Sequence, residues 1–99
     1  MSAAMIFRVL ADPTRLAVLE NVMRWEMTVT DLTARFAVTQ PAISQHLKIL
    51  RDARLVIGHT QGTRNVYQLN PAGFGSLRDY FDTFWSQALN AFKSKVEEQ

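Results

Sequence analysis

Short polar side chains that can hydrogen-bond to nucleotide bases cluster at positions 39 to 45 of this 99-residue sequence. Thr39, Gln40, Ser44 and Gln45 are of this kind, and Pro41 stands among them. Glutamine can form two hydrogen bonds with adenine, and serine or threonine can bond to several bases. Because these residues open a segment with helical spacing, they predict a helix whose first turns read base edges in the DNA major groove.

Basic side chains follow this polar cluster. We expect Lys48 and Arg51 to contact backbone phosphates, and Thr63 and Arg64 to reach the neighbouring minor groove or phosphates. Residues 39–70 carry a net charge of +3, whereas the remainder of the chain carries −1. A solvated basic face would give the same charge count, so charge alone does not decide for a nucleic-acid partner.

The composition argues against disulfide, metal-binding and catalytic chemistry. The chain has no cysteine, two histidines and four glycines, which excludes disulfides and thiolate metal sites. It also lacks a plausible nucleophile–base pair, a phosphate-binding glycine loop and an HxxxH-type site. We therefore expect no enzyme activity, no cofactor and no metal site. No run approaches the roughly 20 apolar residues of a membrane span, and Met1–Leu10 does not match a signal peptide, so we expect a cytoplasmic protein without a membrane partner.

Apolar residues at helical spacing predict two helices ahead of the polar cluster. The first covers Ser2–Leu10, and Asp12 with Pro13 caps and starts the second. Trp25–Val29 is predicted as a short connection in which Thr28 and Val29 are candidates for extended backbone. The side of the second helix that should face the core consists of Leu16, Leu19, Val22 and Met23.

Two further helices and a hairpin should position the polar cluster. Thr30 is the predicted N-cap of a third helix that ends near Ala37, and Thr39 is the predicted N-cap of a fourth. Strand-like runs lie at Leu55–Ile57 and Val66–Leu69, and Gly62 between them suits a tight turn. The residues that the fourth helix should bury are Ile43, Leu47 and Leu50.

A last helix is predicted from about Ala72 to Val96. Its apolar face is too broad for a terminal helix that packs on one side only, so a second surface should cover it. Packing against another subunit is one interpretation, and an effector pocket between subunits is the other. The apolar face consists of Leu77, Tyr80, Phe81, Phe84, Trp85, Ala88, Leu89 and Phe92.

The order of short motifs along the chain resembles that of the ArsR/SmtB-type bacterial repressors. The matching segments are Leu10–Leu16, Val29–Leu32, Gln40–Leu50, Arg54–Val56 and Gly62–Leu69. The resemblance implies a mainly α winged helix-turn-helix over residues 1–99, with about five helices and a two-stranded wing. It also implies a homodimer that represses transcription from an inverted-repeat operator. The dimer contacts would come from the first and last helices, through Ile6, Phe7, Leu77, Phe81, Phe84, Trp85, Ala88 and Phe92.

The sequence departs from many members of this family at the sensor positions. Where those members carry a Cys-Val-Cys metal site, this chain has Thr28 and Thr30, and neutral hydroxyls are poor ligands for soft metals. Other members use His and Asp on the last helix, which here has Asp79 and Asp82 but no histidine. We therefore predict no metal sensing at these sites and leave any effector unidentified. The alternative is a protein-interaction module without specific DNA readout, against which the basic segment argues.

Overall fold

The computed structural model describes residues 1–98, so Gln99, the last residue of the predicted domain, lies outside the described part. Its five α-helices and antiparallel sheet agree with the predicted mainly helical class. A short 3₁₀ turn at Pro71–Phe74 precedes the last helix. The elements are α1 (Ala3–Leu10), α2 (Pro13–Arg24), β1 (Met27–Thr28), α3 (Val29–Thr33), α4 (Gln40–Asp52), β2 (Val56–Gln61), β3 (Arg64–Leu69) and α5 (Gly75–Glu97).

Side chains cap the helices at the positions where the chain turns. The predicted caps at Asp12 and Thr39 are confirmed, since they accept hydrogen bonds from the backbone N–H groups of Arg15 (2.9 Å) and Ala42 (3.3 Å). The predicted start of the third helix was wrong. Thr28, not Thr30, caps α3, because Thr28 stands three residues before Asp31.

This spacing lets Thr28 and Asp31 form a reciprocal capping box. The Thr28 hydroxyl accepts from the Asp31 N–H, and the Asp31 carboxylate accepts from the Thr28 N–H, both at 3.1 Å. Helix α3 ends at Thr33, earlier than the predicted end near Ala37. Turns in the 34–38 segment then lead into α4.

The predicted hairpin is present, and the sheet that contains it has three strands in the order β1–β3–β2. Met27 and Thr28 pair with Tyr67 and Val66, so the segment assigned to a connection supplies the additional strand. The hairpin turns at Gly62, whose φ is +62°, the left-handed region that glycine tolerates best. A single positive φ at the first turn residue is typical of a type II′ hairpin turn.

The hydrophobic core lies between the helices and the sheet. Ile43, Leu47 and Leu50 of α4 are fully buried, as predicted. Leu16 and Met23 are 37% and 57% exposed, so their prediction as core residues was wrong. These two side chains instead border a groove beside the 3₁₀ turn.

Ile6 of α1 also requires a correction. Its side chain is completely buried in the core of this chain, so it cannot contact a second subunit as predicted. Its neighbour Phe7 is 42% exposed and lies on the outer side of the same helix. An apolar pair at adjacent helical positions points in two directions, which explains why one residue is internal and the other external.

A tight corner ends α4 and starts the wing. Arg54 adopts a left-handed φ of 61°. Its N–H donates to the Arg51 carbonyl, and the Leu55 N–H donates to the Leu50 carbonyl, both at 2.9 Å. These two bonds form a Schellman motif, in which glycine normally occupies the position of Arg54.

We expect Arg54→Gly to be more stable than Arg54→Ala by about 1 kcal/mol, because only glycine adopts this φ without a steric penalty. Comparing the two variants removes the effect of losing the arginine side chain, which both share. Urea unfolding of each variant measures the difference. Equal stabilities would show that the left-handed conformation costs nothing at this corner.

Candidate nucleic-acid interface

Helix α4 presents its polar residues outward and its apolar residues to the core. Gln40, Ser44 and Gln45, predicted to read bases, are all exposed. Pro41, in the first turn, is exposed as well. Thr39 differs from them, because its hydroxyl oxygen already accepts the capping bond from Ala42, which leaves its proton and one lone pair for another partner.

One ridge of α4 runs beside the wing. Gln40, Ser44, Lys48 and Arg51 follow at helical spacing and are exposed, so they lie on the same side of the helix. The structure thus brings two predicted base-reading residues together with two of the predicted phosphate contacts, Lys48 and Arg51. Gln45 lies on the adjacent outward face.

Two shallow cavities connect this ridge to the hairpin. Gln40 lines a cavity of about 440 Å³ together with Thr63 and Arg64 at the wing turn. Further along, Arg51 lines a cavity of about 140 Å³ with His59 and other residues of β2 and β3. The first turn and the last turn of α4 therefore each face polar residues of the hairpin.

An ion pair that the sequence did not reveal holds the side chain at the wing tip. Arg64 Nη2 lies 3.6 Å from Asp31 Oδ2, and the two side chains are 64% and 46% exposed. The Thr28 backbone N–H is the main cause that lowers the pKa of Asp31, followed by the Thr28 hydroxyl and by the charge of Arg64. An exposed ion pair of this kind is weak.

Of the two threonines at the family's metal positions, Thr28 takes part in the helix cap and Thr30 is exposed on α3. Thr28 is 8% exposed, and its hydroxyl serves the capping box. Thr30 follows inside α3. Within residues 1–98, no three His, Asp or Glu side chains are grouped so that they could hold a metal ion.

The predicted dimer residues lie on α1 and α5. Leu77 packs partly against the core of the same chain. Phe7 meets Tyr80 and Phe81 edge to face, with ring centroids 5.7 and 5.8 Å apart. Beyond these contacts the apolar face of α5 is open. Its large side chains Phe81, Phe84, Trp85 and Phe92 are 50%, 53%, 63% and 68% exposed, and Ala88 is exposed as well.

Comparison with known proteins identifies the family. The model of the family described as "Bacterial regulatory protein, arsR family" matches residues 12–57, which contain α2, α3 and α4. The HTH-type transcriptional regulator Rv2034 of Mycobacterium tuberculosis is 41% identical over 93 residues, which cover 94% of this chain and 87% of that protein. The chain belongs to the ArsR family.

Other relatives and solved structures agree with this assignment. The arsenical resistance operon repressor of Bacillus subtilis is 48% identical over 65 residues, 65% of this chain and 62% of that protein. The ArsR-like transcriptional regulator from Rhodococcus sp. RHA1 superposes with a TM-score of 0.78 at 26% identity, over 93% of this chain and 90% of that one. A possible transcriptional regulator for arsenical resistance gives 0.71 at 37% identity, over 90% and 93%.

Membership of the ArsR family confirms the resemblance and the winged helix-turn-helix fold. Helices α3 and α4 form the helix-turn-helix, and the β2–β3 hairpin forms the wing. The family consists of DNA-binding transcription regulators and not of enzymes. In a helix-turn-helix, the second helix is the one that enters the DNA major groove. The exposed ridge lies on that second helix, α4. No helix within residues 1–98 has the length and apolarity needed to cross a membrane.

Proposed function

We propose that this ArsR-family chain is a homodimeric, sequence-specific repressor that binds an inverted-repeat operator in the cytoplasm. Residues 1–99 act as one DNA-binding domain with dimerisation helices at both ends. The observation that carries the proposal is the exposed ridge of α4 beside the wing, since it offers hydrogen-bonding groups and positive charges on one surface. The proposed repressor does not sense metal at the positions of Thr28 and Thr30, because their hydroxyls are poor ligands for soft metals.

Base reading and phosphate binding are assigned to side chains of different chemistry. Gln40, Ser44 and Gln45 read base edges, because amides and hydroxyls can both donate and accept hydrogen bonds. Thr39 and Pro41 lie at the helix start, where it enters the major groove. Phosphate contacts fix the position of the protein on the duplex without reading sequence. These contacts come from Lys48, Arg51, Thr63 and Arg64.

The size of the exposed surface supports the homodimer. The chain exposes 7003 Å², whereas a compact monomer of 11.3 kDa is expected to expose about 5,700 Å². Its radius of gyration is 17.6 Å, against about 12.6 Å for a compact domain of this length. The excess of about 1,300 Å² is larger than the roughly 800 Å² that each partner buries in a standard interface. A two-fold dimer would present two α4 helices to half-sites about 34–36 Å apart.

Two alanine variants separate base reading from phosphate binding. Gln45→Ala is expected to relax base preference at one position in each half-site, at a cost of about 1–3 kcal/mol. Arg64→Ala is expected to weaken binding to every sequence and to flatten the dependence of affinity on salt. Selection from a random duplex library, followed by titration of the selected duplex at two salt concentrations, measures both effects.

Arg24→Ala serves as the matched control, because this exposed arginine lies on α2, outside the α4 ridge and the wing, and its loss changes the net charge equally. It should leave affinity and salt dependence unchanged. If Arg64→Ala behaves like Arg24→Ala, the wing does not contact DNA. If the unmodified protein shows no salt-dependent binding to duplex DNA, the protein-interaction module becomes the better interpretation.

A further inference from the structure

The cavity between the wing turn and the start of α3 is lined by two charged residues of opposite sign. Asp31 comes from α3 and Arg64 from the first position of β3, and the other described lining residues are uncharged. The side chains of this pair approach to 3.6 Å, and both remain accessible to solvent. The cation assigned to phosphate binding therefore already has an anionic neighbour in the free protein.

Asp31 is held in place by bonds that do not involve Arg64. Its Oδ2 atom, the one paired with Arg64, also accepts from the Thr28 backbone N–H at 3.1 Å. The Asp31 N–H donates in return to the Thr28 hydroxyl, at the same distance. The Thr28 N–H is the main cause that lowers the pKa of Asp31, ahead of the charges of Arg64 and Arg35. The carboxylate therefore remains ionised at neutral pH and remains in position when Arg64 moves away.

Arg64, in contrast, is held loosely. Its Nη2 atom lies 3.6 Å from the carboxylate oxygen, whereas a charge-assisted hydrogen bond between such groups measures about 2.7–2.9 Å. A single long contact does not orient the planar guanidinium, because orientation requires two short parallel N–H···O bonds. Asp31 therefore offsets the charge of Arg64 without presenting its guanidinium to a phosphate in a fixed geometry.

A phosphate that binds Arg64 in its present position would lie close to a second negative charge. The guanidinium is only 3.6 Å from Asp31, so a phosphate bound to it would be repelled by the carboxylate. Asp31 cannot withdraw without breaking the capping box, whereas the long side chain of Arg64 can change rotamer. Binding of DNA should therefore separate the ion pair, and the loss of that pair opposes binding.

We propose that Asp31 competes with DNA phosphate for Arg64 and thereby limits the affinity of the wing for DNA. This competition rests on the proposed function, in which Arg64 contacts phosphate. A phosphate contact carries no sequence information, so Asp31 weakens binding to every duplex by the same factor. Base contacts from α4 then supply a larger share of the total affinity than they would with an uncompensated Arg64.

Asp31→Asn tests the competition with little change in shape. Asparagine retains an oxygen that accepts from the Thr28 N–H but carries no charge. We expect this variant to bind the selected duplex and a scrambled duplex at least about three times more tightly at low salt, since an exposed ion pair changes an equilibrium by up to about fivefold. Fluorescence anisotropy at two salt concentrations measures the affinities, and circular dichroism during urea unfolding verifies the fold.

Asp12→Asn is the matched control. Asp12 is also a capping carboxylate, which accepts from the Arg15 N–H at 2.9 Å, but it does not line the cavity. Because the variant changes the net charge equally, its effect on affinity measures the general contribution of charge and should be much smaller than that of Asp31→Asn.

Asp31→Asn introduced into the Arg64→Ala variant separates competition from direct repulsion. Repulsion between Asp31 and DNA persists without Arg64, whereas competition for the guanidinium does not. We therefore expect the gain in affinity to be at least about twofold smaller in the Arg64→Ala background, which is the coupling that a double-mutant cycle measures.

The possible outcomes distinguish the competition from the DNA binding on which it rests. Equal gains with and without Arg64 would overturn the competition, since Asp31 would then act through its charge alone. Unchanged or weaker binding of Asp31→Asn in the otherwise unmodified protein would overturn it as well, and weaker binding would show that Asp31 positions Arg64 on DNA. In each of these cases the protein still binds DNA. Absence of salt-dependent binding by the unmodified protein would instead refute the proposed function and the competition together.

Discussion

Replacing Gly73 by alanine is expected to lower the free energy of unfolding by about 3 kcal/mol or more, the upper range for overpacking a rigid site. A Cβ atom at this position would lie 1.8 Å from the carbonyl oxygen of Arg54 and 2.7 Å from its carbonyl carbon. These are backbone atoms, so the contact cannot be relieved by a change of rotamer. Urea unfolding followed by circular dichroism measures the loss.

The corner around Arg54 has little freedom to yield. Its Schellman hydrogen bonds fix the end of α4, and the Asn70 side chain donates to the Arg54 carbonyl oxygen at 2.9 Å. The Asn70 N–H donates to the Leu55 carbonyl at 2.9 Å. Because this corner joins α4 to the wing and to α5, its disruption should also abolish DNA binding.

Gly75→Ala provides a control of the same chemistry two residues away. Nothing lies within 4 Å of a Cβ at Gly75, which opens α5 with a helical φ of −56°. Alanine should therefore stabilise the protein there, by up to about 1 kcal/mol. If Gly73→Ala were as stable as Gly75→Ala, the close approach of the 3₁₀ turn to Arg54 would be wrong.

The recognition helix could be predicted from sequence because its signals are local. Thr39 precedes Pro41 and the regularly spaced Ile43, Leu47 and Leu50, so the cap, the start and the buried side all follow from a short window. The polar positions of the candidate site then follow by exclusion from the buried side. Gly62 likewise predicts the hairpin, since a tight turn requires its conformational freedom.

Features that depend on distant residues could not be predicted in this way. Strand β1 has two residues, and only its partners Tyr67 and Val66 make it a strand. The ion pair between Arg64 and Asp31 joins residues that are far apart in the chain. No local pattern encodes either contact.

Apolar spacing also cannot show which molecule covers a side chain. Leu16 and Met23 belong to the same predicted apolar side of α2 as Leu19 and Val22, yet the core covers only Leu19 and Val22. Leu16 and Met23 instead line the open groove beside the 3₁₀ turn. A periodic apolar pattern therefore shows which residues share one side of a helix, but not which of them the core of the same chain covers.

A substitution in α5 tests the proposed dimer. Replacing Phe84 by aspartate is expected to convert the dimer to monomers, because each subunit would then place a carboxylate in an apolar interface. Binding to DNA with two half-sites should fall by about 100-fold or more, since a linked second half-site typically adds 10²–10⁴ in affinity. Sedimentation measures the oligomeric state, and fluorescence anisotropy with the selected duplex measures the affinity.

Ser86→Asp is the matched control, since it adds the same charge two residues along α5, on the opposite side of the helix. It should remain dimeric and bind normally. Phe84 is 53% exposed within one chain, so Phe84→Asp should keep the monomer fold and its weak affinity for a single half-site. A Phe84→Asp protein that stays dimeric and binds both half-sites as before would show that α5 does not form the dimer interface.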